Sequence, residues 1–362
     1  MLHTLLPTIL VLGLAGCGEA PAAKLAPAAR PATAPPPAEP GNLENAVLVS
    51  VDGLRSDALL ALQPEALPGF TRLLGGSATL NARCDPDYSI TLPNHTSMIT
   101  GRPVLGPEGH GWILNDEAPK DATLHKNKGQ YLASLFDVAH DRGWHTALLA
   151  GKPKFALYDQ SYDAQNGAPD EVAPDDGRDK LDSYVFSEKT AEIGDGVVRE
   201  LGDGSRKSVV FVHFAITDLT AHASGWDLTP NSKYLAALAQ VDVQLSKILS
   251  AIDATPRLAG HTAIVLTADH GGGAPFKSHD KNKMWVDYII PFVVWTGDGH
   301  KAELYALNPS TRKDPSLSNP ATDALGLPPV RNGEAGNVVL QLLGLPAIPG
   351  STLDARQDLV VR

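Results

Sequence analysis

Five apolar runs of strand length limit what this chain can become: NAVLVSVDG (45–53), HTALLAG (145–151), SVVFVHFAITD (208–218), TAIVLTADHG (262–271) and IIPFVVWTGDG (289–299). Their hydrophobicity is continuous rather than alternating, as expected of strands covered on both faces of a mostly parallel sheet. Segments of helical period lie between them. In 233–252, Leu235, Leu238, Val241, Leu245, Ile248, Leu249 and Ile252 share one face; 130–143, closed by Gly143, and 184–201 read the same way. Strand and helix in alternation predict a layered α/β fold. At 362 residues, 43% hydrophobic and 20% charged, the chain can bury one sizeable core or two smaller ones.

The N-terminus reads differently. MLHTLLPTILVLGLAGCGEA is a short apolar run ending in small residues. That is the shape of a signal peptide over 1–16, since a membrane span needs about 20 apolar residues. Leu14-Ala15-Gly16-Cys17 resembles the lipobox of bacterial lipoproteins, whose cysteine is lipidated. The run lacks Lys or Arg before its apolar part, so an uncleaved anchor with an incidental cysteine is the alternative. Either way the sequence predicts export, with a membrane-anchored chain on the periplasmic or cell-surface side. Residues 17–41 are then a lipidated cysteine and a Pro/Ala-rich, semi-stiff tether, and 42–362 the folded domain. If Cys17 carries lipid, Cys84 has no disulfide partner and reads as a buried structural thiol.

With 30 Lys and Arg against 41 Asp and Glu, the formal net charge is −11. No duplex nucleic acid is expected as partner, because its binders displace phosphate counterions with a basic face. Small anionic substrates stay open if metal ions invert the local field.

Ligands of open α/β sheets collect beyond the carboxyl ends of strands, and three predicted strands end there in acid: Asp52, Asp218 and Asp269, the last followed by His270. Singly, each is equally a turn former or a helix cap. His222 stands four residues after Asp218, so a helical turn aims both at one point. Asp269 and His270 are adjacent, which suggests opposite sides and separate cations. Mixed carboxylate and imidazole ligands without cysteine favour a catalytic zinc or similar divalent ion over calcium. Thr91, before Leu92-Pro93-Asn94-His95, stands where a helix starts. A threonine hydroxyl needs a metal to act as a nucleophile near neutral pH, and a helix N-terminus stabilises its alkoxide. Pro93 suits a first turn, and Asn94 can offer an amide donor to an anionic oxygen. His213 reads as a core histidine with a hydrogen-bond partner, and His95 and His110 as braces. Arg55 and Lys126 read as substrate contacts or surface pairs. The acidic, Gly- and Pro-containing stretch 152–183 is expected to run over the surface near the site.

In chain order, SVDGLRSD (50–57), TLPNHTSMITG (91–101), GHGWILND (109–116), DLTAH (218–222), TADHGG (267–272) and KSHD (277–280) resemble the alkaline phosphatase superfamily, closest to its nucleotide pyrophosphatase/phosphodiesterase branch. The resemblance implies a three-layer α/β/α sandwich around a mostly parallel central sheet. It implies two Zn²⁺, other divalent metals being possible, one held by Asp218, His222 and a later histidine, the other by Asp52, Thr91, Asp269 and His270. His279 is the expected later histidine, with His300 the alternative. Ala221 stands where the family has glycine. Thr91 would be the nucleophile, and Asn94 would help bind a phosphoryl oxygen. The implied activity is hydrolysis of a small phosphate ester, a diester by preference. A phosphomonoesterase or phosphonate hydrolase is the alternative, and a non-catalytic metal-binding surface lipoprotein a further one. A sulfatase is disfavoured, because Thr91-Leu92-Pro93-Asn94-His95 replaces Cys/Ser-x-Pro-x-Arg.

Overall fold

A computed structural model describes Met1 and residues 43–173, 177–281, 284–316 and 326–362. Cys17, the tether and all of the expected signal peptide beyond Met1 lie outside the described residues. The strands are β1 (Asn45–Val51), β2 (Ser77–Arg83), β3 (His145–Ala150), β4 (Ser183–Phe186), β5 (Ser208–Phe214), β6 (Thr262–Thr267), β7 (Ile289–Trp295) and β8 (Ala302–Glu303). They form one sheet in the order β4-β3-β5-β1-β6-β7-β2-β8. As the continuous runs require, β1, β5, β6 and β7 are buried along their whole length. Helices Pro68–Leu73, Thr190–Leu201 and Lys233–Ala254 pack on one face, and Thr91–Thr100, Leu135–His140 and Ala335–Leu342 on the other. The fold is therefore an α/β/α sandwich.

Strand β7 alone runs against its neighbours, antiparallel to both β6 and β2. A parallel return needs a crossover, usually a helix across the sheet face. The chain between β6 and β7 instead returns along the edge it left, which keeps Asp269, His270 and His279 at that edge.

Three sequence expectations change. The segment 184–201 is not one helix: Tyr184, Val185 and Phe186 pair with Leu148, Leu149 and Ala150 of β3, and the helix begins only at Thr190. Pairing to a sheet edge overrides helical period for such β-formers. In 130–143 the helix is shorter, Leu135–His140, because Ser134 and Asp137 form a capping box that fixes its start. The stretch 152–183 is also more ordered than its composition suggests. It opens with a 3₁₀ turn, Pro153–Phe155, and a helix, Ala156–Ser161, whose Phe155 and Tyr158 are wholly buried together with Tyr162. Further on, buried Lys180 pairs with Asp141 at 3.0 Å and with Asp170.

Candidate active site

Strands β5, β1 and β6 are neighbours, so their carboxyl ends bring Asp218, Asp52 and Asp269 side by side. Asp52 follows β1 directly, Asp218 lies in the first turn of helix Ile216–Ser224, and Asp269 is two residues past β6. All three are buried. Gly53 makes this approach possible. Its φ is +67°, and a Cβ there would stand 3.1 Å from the Asp218 Cβ. Its N–H donates to Asp269 Oδ1 at 3.0 Å.

Each carboxylate has one oxygen tied to the protein and one left over. Asp52 Oδ2 meets His213 Nε2 at 2.8 Å and Lys152 Nζ at 2.6 Å. Asp218 Oδ2 meets the same ammonium at 2.7 Å. Asp269 Oδ1 accepts from Gly53 and from the His270 N–H at 3.0 Å. Asp52 Oδ1, Asp218 Oδ1, Asp269 Oδ2 and His270 Nε2 are buried without a hydrogen-bond partner. Such atoms are costly unless something answers them.

Three histidines face these oxygens, each anchored through Nδ1 to a backbone carbonyl: His222 to Lys277 at 2.7 Å, His270 to Gly271 at 2.9 Å, and His279 to Ser89. In the neutral ring, a proton on Nδ1 in that bond leaves the Nε2 lone pair free, the tautomer a metal ligand needs. His222 Nε2 is 3.3 Å and His279 Nε2 3.9 Å from Asp218 Oδ1; His270 Nε2 is 3.2 Å from Asp269 Oδ2 and 3.6 Å from Asp52 Oδ1. Asp269 and His270 thus converge, contrary to the expectation that they face opposite sides. The chain has left strand geometry by then, and the His270 N–H folds back onto its neighbour's carboxylate.

Ligand atoms of Asp52, Asp269 and His270, and of Asp218, His270 and His279, lie within 4.8 Å of one another. Unpaired carboxylate oxygens opposite unprotonated imidazoles are a donor set suited to zinc or a similar ion. His222 extends the second group, its side chain 42% exposed at the mouth. His300 is exposed, its backbone bonded to Asp298, and it takes no part.

Burial and the neighbouring His279 push His270 well below the ordinary imidazole range, and burial lowers His279 too, so both stay neutral. Burial would raise Asp52, but Lys152, His213 and His270 outweigh it and hold its carboxyl well below the usual range. Asp269 is pushed well up by burial and by Asp52.

Thr91 is the first residue of its helix, with Ile90 in the cap position, and its Oγ1 lies 3.5 Å from Lys152 Nζ. The cap function falls instead to Asn115 of GHGWILND, whose Oδ1 accepts the Leu92 N–H at 2.9 Å and is itself held by Lys154 Nζ at 2.9 Å. His95 spans Ser50 Oγ and the Thr91 carbonyl, both at 2.8 Å, and His110 reaches Ser97 at 3.2 Å. Asn94 braces the turn. Its amide nitrogen donates to the carbonyls of Tyr88 (2.6 Å) and Ile90 (3.0 Å), while its oxygen accepts from Asp85 N. Arg55 binds Asp57 and the Trp226 carbonyl, and Lys126 the Asp121 carbonyl.

Sequence reasoning missed Lys152, Asn115 and Asn332. The buried Asn332 amide donates to Asn94 Oδ1 (3.1 Å) and to the carbonyls of Ala268 (3.1 Å) and Asp269 (3.2 Å), tying the loop of one carboxylate to the turn before Thr91. Two of them had a signal: Lys152 stands just past a strand end, as Asp52 does, and Asn115 lies within GHGWILND.

The family model of type I phosphodiesterase / nucleotide pyrophosphatase matches residues 46–324. No curated protein sequence matches the chain. Among solved structures, a protein of the alkaline phosphatase superfamily from Vibrio parahaemolyticus superposes with a TM-score of 0.55 at 14% identity, over 88% of this chain and 70% of that one. The lipoteichoic acid synthase LtaP of Listeria monocytogenes gives 0.53 at 14%, over 83% and 72%. Murine ectonucleotide pyrophosphatase/phosphodiesterase 5, in an inactive form with AMP, gives 0.51 at 15%, over 87% and 99%.

Proposed function

As the chain belongs to the type I phosphodiesterase / nucleotide pyrophosphatase family, a family of phosphoester hydrolases, we propose that it cleaves phosphate diesters through a phosphothreonine at Thr91. Two divalent ions, zinc in the first instance, would be its cofactors. One would be held by Asp218, His222 and His279, the other by Asp52, Thr91, Asp269 and His270. Bound there, the ions supply Lewis acidity and charge neutralisation at the reacting oxygens.

The carrying observation is the set of four buried, unpartnered ligand atoms on Asp52, Asp218, Asp269 and His270 at the edge where the Thr91 helix begins. In the first half-reaction a bond forms between the Thr91 oxygen and phosphorus while the ester oxygen leaves with the bonding pair and takes a proton. Water then adds to phosphorus, the bond to Thr91 breaks, and the hydroxyl is restored, consuming one water per ester. Asn115 and His95 hold the helix start against recoil during both displacements. The AMP bound by the murine neighbour makes nucleotide 5′-esters the first natural substrates to try.

Lys152 supports a second reading, a phosphomonoesterase, since a charged ammonium beside the nucleophile suits a dianionic phosphate. Hydrolysis of bis-p-nitrophenyl phosphate, p-nitrophenyl phosphate and p-nitrophenyl sulfate, with zinc and with a chelator, separates the readings. Diester preference abolished by chelation supports the first, monoester preference the second. Silence on all three with metal bound would leave a binding protein.

Export and lipid anchoring complete the proposal, resting on the apolar N-terminus and Cys17. Incorporation of labelled palmitate by the full chain, lost in Cys17→Ala, is the expected result.

A further inference from the structure

We propose that a neutral apolar pocket beside the metal-ligand loops, walled by Leu60, Leu80, Trp285, Val286 and Ile289 with Ser56 in its lining, takes the alkyl or aryl substituent that stays on phosphorus when a phosphate diester is cleaved. The proposal rests on the diester reading and adds the class of substrate arm.

The pocket is a cavity of about 380 Å³, within the range of sites for small organic ligands. It lies between the 3₁₀ helix Ser56–Leu60, strand β2, and the short helix Trp285–Tyr288 that leads into β7. Its mouth is apolar and uncovered: Leu60 is 70% exposed and Trp285 43%, area that gains by being taken out of water. Only two of its lining residues are charged, Arg55 and Asp57, and they are joined through two contacts of 2.6 Å, so a ligand meets no net charge. Ser56 Oγ, in contrast, is buried and has no hydrogen-bond partner. An unpartnered hydroxyl in a dry wall calls for a ligand atom to answer it. The fitting occupant is a neutral apolar chain or ring that carries one hydrogen-bonding atom.

Both walls grow out of loops that hold candidate metal ligands. Ser56 is four residues past Asp52. Val286 packs on the loop of His270: the Gly271 N–H donates to the Asp287 carbonyl at 2.8 Å, and a Cβ on Gly271 would collide with the Val286 carbonyl oxygen. Trp226 stands between Arg55 of the lining and the other histidines. Its carbonyl accepts from Arg55 Nη1 at 3.2 Å, while its ring is edge-on to His222 and His279. The pocket therefore belongs to the side of Asp52 and His270, the residues grouped with Thr91. In an in-line displacement the leaving oxygen departs opposite the nucleophile, so a substituent seated on the Thr91 side is the one retained.

The test uses the full chain and p-nitrophenyl diesters whose second substituent is ethyl or hexyl. Each releases p-nitrophenol and leaves the alkyl group on phosphorus. The hexyl ester should show a kcat/KM about 30-fold higher than the ethyl ester, and Trp285→Ala should shrink that ratio about tenfold. A wild-type ratio below about threefold, or a ratio intact in the variant, would overturn the proposal.

Hexylphosphonate supplies a readout apart from turnover. Seated in the pocket it covers Trp285, so tryptophan emission of the wild type should move to shorter wavelength, Trp285→Phe should lose that shift, and the phosphonate should compete with the ethyl ester. Unchanged emission in the wild type, a shift kept in Trp285→Phe, or inhibition that is not competitive would contradict the proposal. A wild type that cleaves no diester would defeat the reading beneath it, and the emission shift would then judge the pocket alone. Should Trp285→Ala not fold, Leu60→Ser, at a position 70% exposed, is read by the same ratio.

Discussion

Two clusters in this molecule set carboxylates around one cation, three around Arg312 and two, Asp52 and Asp218, around Lys152, yet only one is built for chemistry. Arg312 donates Nε to Glu334 at 2.9 Å, Nη1 to Asp358 at 3.0 Å and Nη2 to Asp354 at 3.1 Å, a rigid fork matched to its acceptors. Glu334 Oε2 and Asp354 Oδ2 are also left without partners, and burial raises both carboxyls, Glu334 to about 8 and Asp354 to about 6, as it raises Asp269 at the active site. At Lys152 the leftover oxygens face unprotonated imidazole nitrogens, and Asp52 stays ionised against its burial. A buried ion-pair network cancels its charges; a site keeps converging donors in hand beside a reactive hydroxyl.

Thr91→Ala should lower hydrolysis of every ester by on the order of 10⁴-fold or more, with zinc content and melting temperature unchanged. Arg312→Met should do the reverse. Leaving Glu334 and Asp354 buried without their cation costs about 3–5 kcal/mol of stability in urea titration, while the surviving folded molecules keep their kcat. Loss of kcat there would mean that the two clusters are coupled. Asn332→Ala falls between: freeing the Asp269 loop and Asn94 should weaken zinc binding by about 10- to 100-fold, read by chelator competition.

A pH dependence of stability is also expected. Burial raises the Glu334 carboxyl from its ordinary 4.5 to about 8, so the folded state holds this proton longer than the unfolded chain does. Its contribution is complete below about 4.5 and is lost as pH rises through about 8. Urea midpoints taken at intervals from pH 5 to 8 should fall, and Glu334→Gln should flatten the slope.

Much of this was legible in the sequence because it depends on short segments. Continuous apolar runs ending in Asp52 and Asp269, and the four-residue spacing of Asp218 and His222, locate one sheet edge without coordinates. Lys152 was hidden by its company, since the Pro- and acid-rich residues after it look like a surface loop until Phe155, Tyr158 and Tyr162 are seen buried. Asn332 carries no local signal, and GHGWILND does not disclose what Asn115 does. Each matters only through a backbone group far away in the chain, Leu92 N in one case and the Asp269 carbonyl in the other. The direction of the Asn94 amide is equally unreadable, being set by which carbonyls of the preceding turn come within reach.

The central claim is that Asp52, Asp218, Asp269, His222, His270 and His279 converge on two ions beside Thr91. Anomalous diffraction at the zinc absorption edge, from crystals of protein purified with zinc, tests it most directly. The account requires two peaks, one against Asp52, Asp269 and His270 and the other against Asp218, His222 and His279. A zinc-replete crystal with no peak at this sheet edge, or with ions bound only elsewhere, would contradict it.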